Sequence, residues 1–248
     1  PAVAARLMAQ DKSAEQVGFM EKAYDSRALF RLQMMGGEFC GNATLSAAAL
    51  AREKKLCDPD CDTICLEISG APSPLTVKAV NGSDDGVFAG TVGMPLPESC
   101  FMGEFRFGND RYSLPVVRFP GISHVIIGSK SISEHGLNVS FAEQVIEPWC
   151  RQLGADALGL MFIDENEGLL NPYVYVAGTD TAVWESSCVS GSTAVAVYAA
   201  MKQGKSGSLT LLQPGGRIKV DVELEKFSVS SIRITGKAEI KGRFSADV

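Results

Sequence analysis

Apolar and polar residues alternate over many short stretches of the chain, and turn residues separate these stretches. Examples are RYSLPVVRF before Pro-Gly, SHVIIG, and LTLLQ before Pro-Gly-Gly. Short β-branched runs between such turns are typical of strands that pair with their neighbours in antiparallel sheets. The run TICLEIS places Ile64, Leu66 and Ile68 on one side and Cys65 on the other, as expected for a half-buried strand.

Helical spacing of apolar residues predicts four helices. Three of them cover residues 3–10, 42–54 and 192–203. A fourth covers residues 140–152, with Ser140 as its N-cap. Strands outnumber these helices, so the sequence predicts an α+β fold in which antiparallel sheet dominates. The sequence opens directly on a helical pattern, and we expect that a first strand of the complete protein is missing from it.

Two of the predicted helices begin in the same way. The segment GGEFCGNATLSAAALA introduces one helix, and WESSCVSGSTAVAVYAA introduces the other. In each segment a Glu precedes a Cys by two or three residues, and small residues at helical spacing follow. Cys40 and Cys188 also both come after a strand-like run. The repeat predicts two halves of similar design, each with a cysteine at the N-terminus of a buried helix.

A cysteine in this position is chemically useful. The helix dipole and the unpaired N–H groups of the first turn favour the thiolate, and the same N–H groups can bind a carboxylate. With two such helix starts at one amino acid, a thiolate removes the α-proton from one face and a thiol protonates the other face. Backbone donors aimed at the carboxylate stabilise the carbanion. This reaction requires no pyridoxal phosphate, nucleotide or metal, and we expect no cofactor.

Composition argues against two other classes of function. The formal net charge is −6, from 23 basic and 29 acidic residues without a basic cluster, which argues against a nucleic-acid partner. No apolar run is long enough for a membrane helix. The seven cysteines bear on the compartment and on metal binding. They fit free thiols in a reducing, cytoplasmic compartment. The spacing of Cys57, Cys61 and Cys65 fits no familiar metal site. We expect an amino-acid substrate as partner, and a homodimer is compatible with the sequence.

The longer motifs resemble the two-cysteine racemases of the diaminopimelate epimerase and proline racemase superfamily. The shared stretches are EQVGF, GGEFCGNAT, ISHVI, GLMFIDE, WESSC and QPGG. Within the superfamily they are most similar to the histidine racemases of the staphylopine-type metallophore pathway. The resemblance implies a diaminopimelate epimerase-like fold of two pseudo-symmetric domains, each a barrel-like sheet around a central helix. We place one domain at residues 1–110 with 237–248, and the other at residues 111–236.

Departures from diaminopimelate epimerase bear on the substrate. That family has a Glu-Arg pair before its second cysteine, and the Arg helps to hold the distal carboxylate of the substrate. Here Glu185 is followed by two serines and then by Cys188. Without the Arg, an amino acid with a neutral or basic side chain is favoured, and histidine is the first candidate. Diaminopimelate epimerase, a PhzF-like isomerase and a non-catalytic binding protein on this scaffold stay as alternatives.

Helix geometry and the resemblance together nominate the site. Cys40 and Cys188 are the predicted acid and base. The predicted substrate-binding residues are Glu15, Gly41, Asn42, Ala43, Glu185, Ser190, Gly191, Ser192 and Thr193. Ser192 and Thr193 are equally good helix caps, so at these two residues only the backbone N–H groups are favoured as donors.

Three nominated side chains have structural alternatives. Glu185 is predicted to hold the substrate ammonium group or to tune the thiol, and the alternative is a solvated or capping carboxylate. Glu15 would suit an imidazole, and the alternative is an exposed charge at a helix end. His124, in ISHVI, is a further candidate, and the alternative is a buried structural histidine.

Overall fold

The computed structural model describes residues 2–11, 13–58, 61–80, 87–135 and 137–246. The helices are α1 (Ala2–Gln10), α2 (Gly41–Glu53), α3 (Ser129–His135), α4 (Val139–Leu153) and α5 (Val189–Gln203). The first seven strands are β1 (Gly18–Glu21), β2 (Arg31–Met34), β3 (Thr63–Ile68), β4 (Leu75–Ala79), β5 (Val87–Gly93), β6 (Ser99–Phe107) and β7 (Asp110–Phe119). The others are β8 (Ile122–Gly128), β9 (Ala157–Asp164), β10 (Leu169–Val176), β11 (Thr181–Trp184), β12 (Gly207–Gln213), β13 (Gly216–Glu225) and β14 (Ser228–Glu239).

The chain forms two compact units. Unit 1 contains Pro1–Gly93 and Thr235–Val248, and unit 2 contains Met94–Ile234. The boundary predicted at 110/111 differs from this division because it would separate β6 from β7. These strands pair antiparallel along their whole length, from Ser99 opposite Arg118 to Phe107 opposite Asp110. The hairpin therefore belongs to unit 2 as a whole.

Unit 1 has the strand order β1-β2-β3-β4-β5. All neighbours except β2 and β3 are antiparallel; β2 and β3 run parallel because α2 connects them. Small residues let α2 lie close against β3, β4 and β5, and Ala48 and Ala51 are completely buried. The end of β14 also belongs to this unit, where the Thr235 hydroxyl lies 2.8 Å from that of Thr91. Unit 1 is thus a sheet that carries one cysteine helix.

Unit 2 has the strand order β14-β13-β12-β10-β9-β8-β7-β6, with β11 beside β10. Here β11 and α5 together connect the parallel strands β10 and β12, whereas α2 alone connects β2 and β3. Residues 191–197 of α5 are all buried, and the helix packs against β7, β8, β9, β12 and β13. The amphipathic helix α4 packs its apolar face, centred on Trp149, against β9 and β10.

Most predicted elements are confirmed, and the fold is mostly sheet with few helices. Burial alternates along β3 as predicted, with Ile64, Leu66 and Ile68 buried and Cys65 less so. The N-cap of α4 is Asn138, not Ser140, because Asn138 is extended and its Oδ1 accepts the Phe141 N–H at 3.1 Å. The sequence did not indicate α3 or β6. In β6 the apolar residues do not alternate regularly with polar ones, so the strand pattern is weak.

Candidate active site

Cys40 forms the N-cap of α2. Its backbone is extended (φ −130°, ψ 111°), and its Sγ accepts a hydrogen bond from the Ala43 N–H at 3.4 Å. Its carbonyl oxygen accepts the N–H and the hydroxyl of Thr44 at 3.0 and 2.8 Å. The residues preferred at this position are Ser, Thr, Asp and Asn, so a cysteine cap is unusual. The cap holds the sulfur at the positive end of the helix dipole, where a thiolate is favoured.

Cys188 forms the N-cap of α5 with nearly the same geometry (φ −123°, ψ 104°). Its Sγ accepts the Gly191 N–H at 3.4 Å, and its carbonyl oxygen accepts the N–H and the hydroxyl of Ser192 at 3.0 and 2.7 Å. In both caps the third residue after the cysteine donates to the sulfur, and the fourth donates twice to the carbonyl oxygen. The predicted repeat of a cysteine at a helix start is therefore confirmed, down to its hydrogen bonds.

The surroundings of the two sulfurs differ. Cys188 is only 4% exposed, whereas Cys40 is partly exposed. Burial raises the pKa of Cys188 well above its ordinary value, and Glu185 raises this pKa further through its charge and a hydrogen bond. The hydroxyl of Ser190 and the N–H of Gly191 lower it by smaller amounts. Cys188 is therefore a neutral thiol at neutral pH.

Glu185 is a buried neighbour of this thiol. The residue is 9% exposed, and its N–H donates to the Pro172 carbonyl at 3.0 Å, so β10 fixes the chain just after β11. The burial excludes the alternative of a solvated carboxylate. Because its charge and hydrogen bond both act on Cys188, the structure supports the role of tuning the thiol.

A hydrogen-bonded chain joins Cys188 to His124 through Ser190. Cys188 Sγ lies 3.5 Å from Ser190 Oγ, and Ser190 Oγ lies 3.1 Å from His124 Nε2. His124 Nδ1 has no hydrogen-bond partner among the residues that the structure describes. A buried acceptor without a partner is less unusual than a buried N–H without one. We therefore assign the ring proton to Nε2, so that the Ser190 hydroxyl proton is directed to the sulfur.

Acidification is expected to destabilise the protein through His124. Burial lowers the pKa of His124 from 6.5 to about 3, so the unfolded chain binds a proton first as the pH falls. The stability from this group is present above pH 6.5 and is lost towards pH 3. The loss at about pH 5 is about 2 kcal/mol. Urea unfolding of the wild type and of His124→Gln, each at neutral and acidic pH, measures it. An equal loss in both proteins would exclude His124 as the cause.

Several donors in the first turn of α5 form hydrogen bonds within the helix start. The N–H of Gly191 donates to Cys188 Sγ, and that of Ser192 donates to the Cys188 carbonyl oxygen. The hydroxyl of Thr193 donates to the Val189 carbonyl at 2.8 Å. These hydrogen bonds define the helix start, and substrate binding by Gly191, Ser192 and Thr193 stays a prediction.

The first two residues of each cysteine helix are further candidates for ligand donors. In any helix the N–H groups of the first residues precede the first intrahelical acceptor. In α5 these residues are Val189 and Ser190, and in α2 they are Gly41 and Asn42. The N–H of the predicted residue Ala43 is used by Cys40 Sγ. The sequence did not nominate Val189, although its place directly after a capping cysteine is a usable signal.

Glu15 lies in unit 1, in the irregular segment between α1 and β1, and is partly buried. Helix α1 already ends at Gln10, so the alternative of a charge at a helix end is wrong. The role of Glu15 at the substrate side chain stays a prediction.

Two negative observations concern the described residues. No helix among them is long and apolar enough to cross a membrane. Within the same ranges, no three His, Cys, Asp or Glu side chains are grouped so that they could hold a metal ion. The thiol of Cys61, in the cysteine cluster, instead donates to the Thr63 carbonyl at 2.8 Å.

Solved structures of racemases and epimerases share this fold. A hydroxyproline epimerase from Agrobacterium vitis, with bound trans-4-hydroxy-L-proline, has a TM-score of 0.68 at 13% identity, covering 91% of this chain and 73% of that chain. A predicted epimerase from Pseudomonas aeruginosa has a TM-score of 0.61 at 14% identity, covering 98% of this chain and 90% of that chain. The fold is therefore that of the proline racemase-like epimerases.

Sequence relatives define the class and the family. The model of the histidine racemase CntK N-terminal domain matches residues 1–245. A histidine racemase of Fusobacterium nucleatum subsp. nucleatum is 32% identical over 220 residues, which are 87% of this chain and 77% of that protein. A histidine racemase of Staphylococcus aureus is 28% identical over 224 residues, 88% of this chain and 78% of that protein. The protein is an isomerase of the amino-acid racemase class. The chain belongs to the histidine racemase CntK N-terminal domain family, which confirms the resemblance seen in its motifs.

Proposed function

We propose that the protein racemises histidine, with Cys40 and Cys188 as the two acid–base groups and without a cofactor. The observation that carries this proposal is the matched pair of cysteine N-caps. Each presents a sulfur and a set of early N–H groups at the start of a helix. A thiol would not be selected twice for capping alone, because serine caps a helix better. The repeat is what a reaction needs when both faces of one carbon exchange a proton.

The protonation state of Cys188 determines which cysteine acts as the base and which as the acid. The reaction requires one thiolate and one thiol, and Cys188 is held as the thiol by burial and by Glu185. Cys40 therefore supplies the thiolate that removes the α-proton. Cys188 then gives its proton to the opposite face of the carbanion and becomes the thiolate. The enzyme leaves this turnover in the mirror-image protonation state, which accepts the other enantiomer.

The carbanion is stabilised by the helix starts. The substrate carboxylate binds at backbone N–H groups in the first turn of a cysteine helix, at the positive end of the helix dipole. As the α-proton leaves, charge develops on the carboxylate oxygens, and fixed donors stabilise that charge without reorganisation. This stabilisation lowers the barrier to removal of the α-proton, which is otherwise too weakly acidic for a thiolate to remove.

Histidine is the proposed substrate for two reasons. The relatives from Fusobacterium nucleatum and Staphylococcus aureus are histidine racemases. In addition, Ser186 stands where diaminopimelate epimerases have the Arg that holds a distal carboxylate. We propose that the carboxylate of Glu15 faces the imidazole. The two units, each with one cysteine helix, support the diaminopimelate epimerase-like description of two similar domains, and the free thiols suit a cytoplasmic location.

Racemisation in D2O tests this function. Reduced protein and L-histidine, without added cofactor, are followed by NMR and chiral chromatography. D-histidine is expected to appear with deuterium at the α-carbon while the remaining L-histidine is still protonated there, because different thiols act on the two faces. Proline, hydroxyproline and diaminopimelate serve as competing substrates. A faster reaction with diaminopimelate would reassign the substrate, and no exchange with any amino acid would indicate a binding protein.

A further inference from the structure

A buried glutamine at the end of β12 forms hydrogen bonds to the start of α5, the helix that Cys188 caps. Gln213 is the last residue of β12 and is 6% exposed. Its Oε1 accepts the backbone N–H of Cys188 at 2.7 Å, and its Nε2 donates to Ser192 Oγ at 2.9 Å. Ser192 is the residue whose N–H and hydroxyl close the cap on the Cys188 carbonyl. The Gln213 side chain therefore hydrogen-bonds both the capping residue, Cys188, and the residue that closes the cap, Ser192.

A buried serine holds the approach to Cys40 in a corresponding way. Ser69 directly follows β3 and is 2% exposed. Its hydroxyl donates to the Glu38 carbonyl at 2.9 Å and accepts the Met34 N–H at 2.9 Å. It therefore ties the end of β2 to the peptide unit two residues before the cysteine. Neither hydrogen bond could be formed by an apolar residue of similar size.

The two anchors occupy the same place in the same motif. In unit 1 the chain runs from β2 into α2 and returns along β3, which is parallel to β2. In unit 2 it runs from β10 through the short strand β11 into α5 and returns along β12, which is parallel to β10. The anchor stands at the end of that returning strand, next to the helix start. A glycine follows directly after Ser69 and two residues after Gln213, and each glycine lies against the backbone before the cysteine. A Cβ added at Gly70 would lie 2.3 Å from Phe39 N, and one at Gly215 would lie 2.9 Å from the Ser186 carbonyl oxygen.

We infer that Gln213 and Ser69 are the positioning residues of the two thiols, Gln213 for Cys188 and Ser69 for Cys40. The inference rests on the proposed function for its catalytic meaning. Proton transfer requires a sulfur at a fixed distance and direction from the α-carbon, and misplacement by about 1 Å costs about 100-fold in rate. A capping thiol has weaker hydrogen bonds than a capping hydroxyl, so its helix start needs the additional anchor.

Site-resolved alkylation tests the inference without reference to racemisation. Gln213→Met and Ser69→Ala are treated with iodoacetamide across a pH series, and mass spectrometry follows each cysteine peptide. Gln213→Met is expected to change the alkylation rate of Cys188 by about 10-fold or more and to leave Cys40 unchanged. Ser69→Ala is expected to do the reverse. Gln144→Met and Ser133→Ala, two exposed positions, are the matched controls.

Second variants keep the test valid if the first ones fold poorly. Gln213→Glu retains the acceptor for the Cys188 N–H and adds a negative charge, so the alkylation midpoint of Cys188 is expected to move to higher pH while that of Cys40 stays. Ser69→Thr retains the hydroxyl and is expected to keep the wild-type alkylation rate at Cys40. Unchanged rates in all variants, or equal changes at both cysteines, would overturn the inference.

Racemisation separates this inference from the proposed function. In a racemising wild type, Gln213→Met and Ser69→Ala are each expected to lower kcat by about 10- to 100-fold with little change in KM, because substrate contacts are retained. If the wild type does not racemise any amino acid while the alkylation changes remain specific to one cysteine, the proposed function fails and the positioning role stands. If the wild type racemises and neither alkylation nor kcat responds, the positioning role fails alone.

Discussion

Cys40→Ser and Cys188→Ser are each expected to lower histidine racemisation by about 100- to 10,000-fold, the usual contribution of an acid–base group. The substitution changes little else, because serine is a preferred N-cap and its hydroxyl accepts the same hydrogen bond from the third residue. A serine hydroxyl is far less acidic than a thiol, so it cannot act as the base at neutral pH. Chiral chromatography of the product measures the loss, and thermal unfolding verifies that the variants remain folded.

Two other cysteines provide the control for this experiment. Cys65 lies on the less buried side of β3, and Cys100 lies in β6. Neither caps a helix. Both are only partly buried, and Cys65→Ser and Cys100→Ser are therefore expected to keep the rate within about 2-fold of the wild type. Full activity in Cys40→Ser or in Cys188→Ser would contradict the two-base scheme, because either thiol alone serves only one face of the substrate.

The difference in burial between the thiols has a consequence for the catalytic cycle. A deeply buried thiol beside a carboxylate is poorly suited to rest as a thiolate, so burial and Glu185 favour the protonated form of Cys188. The chain from His124 through Ser190 opposes this preference by directing a hydroxyl proton at the sulfur. The proposed two-thiol mechanism needs both the thiol and the thiolate form of Cys188. The hydrogen bond from Ser190 therefore stabilises the thiolate form of Cys188, which burial disfavours.

Local features of the site can be predicted from the sequence, and features that depend on distant residues cannot. The cysteine caps are local: the cysteine, its glycine or serine neighbours and the small residues that follow are contiguous, so the pattern predicts the helix start. His124 and Ser190 are far apart in the chain, and no periodicity indicates that they meet. For that reason the sequence left His124 with two interpretations, and only burial and a 3.1 Å contact join it to the thiol.

The role of Gln213 illustrates the same limit. The motif QPGG is visible in the sequence as a turn after a strand, and turn chemistry alone explains its proline and glycines. Nothing in the pattern distinguishes the glutamine from a solvent-exposed residue at a strand end. Its function depends on the parallel return of β12 beside the start of α5, which is a property of the fold. The unit boundary at residue 93 was missed for a related reason, because it depends on the pairing of β6, a strand with a weak pattern.

Gly191→Ala is expected to have the second large effect. A Cβ at this position would lie 2.1 Å from Met161 Sδ and 3.2 Å from Cys188 Sγ. Met161 is 0% exposed within β9, so its sulfur has no open space to enter. We expect a loss of about 1–3 kcal/mol in stability from overpacking. We also expect about a 100-fold loss in racemisation, because the N–H that donates to the Cys188 sulfur is displaced.

Ala43, the corresponding position in α2, separates the two possible causes of the loss, which are the cap hydrogen bond and the clash with Met161. Ala43 makes the same hydrogen bond to Cys40 that Gly191 makes to Cys188, so an alanine is compatible with the cap itself. Ala43→Gly is the matched control and is expected to cost only about 0.5–1 kcal/mol, the ordinary preference for alanine in a helix. In Gly191→Ala/Met161→Val the clashing sulfur is gone, and activity is expected to recover above that of Gly191→Ala. Thermal unfolding and racemisation rates of the four proteins measure both effects. A double variant no better than Gly191→Ala would mean that Met161 is not what excludes a side chain beside the thiol.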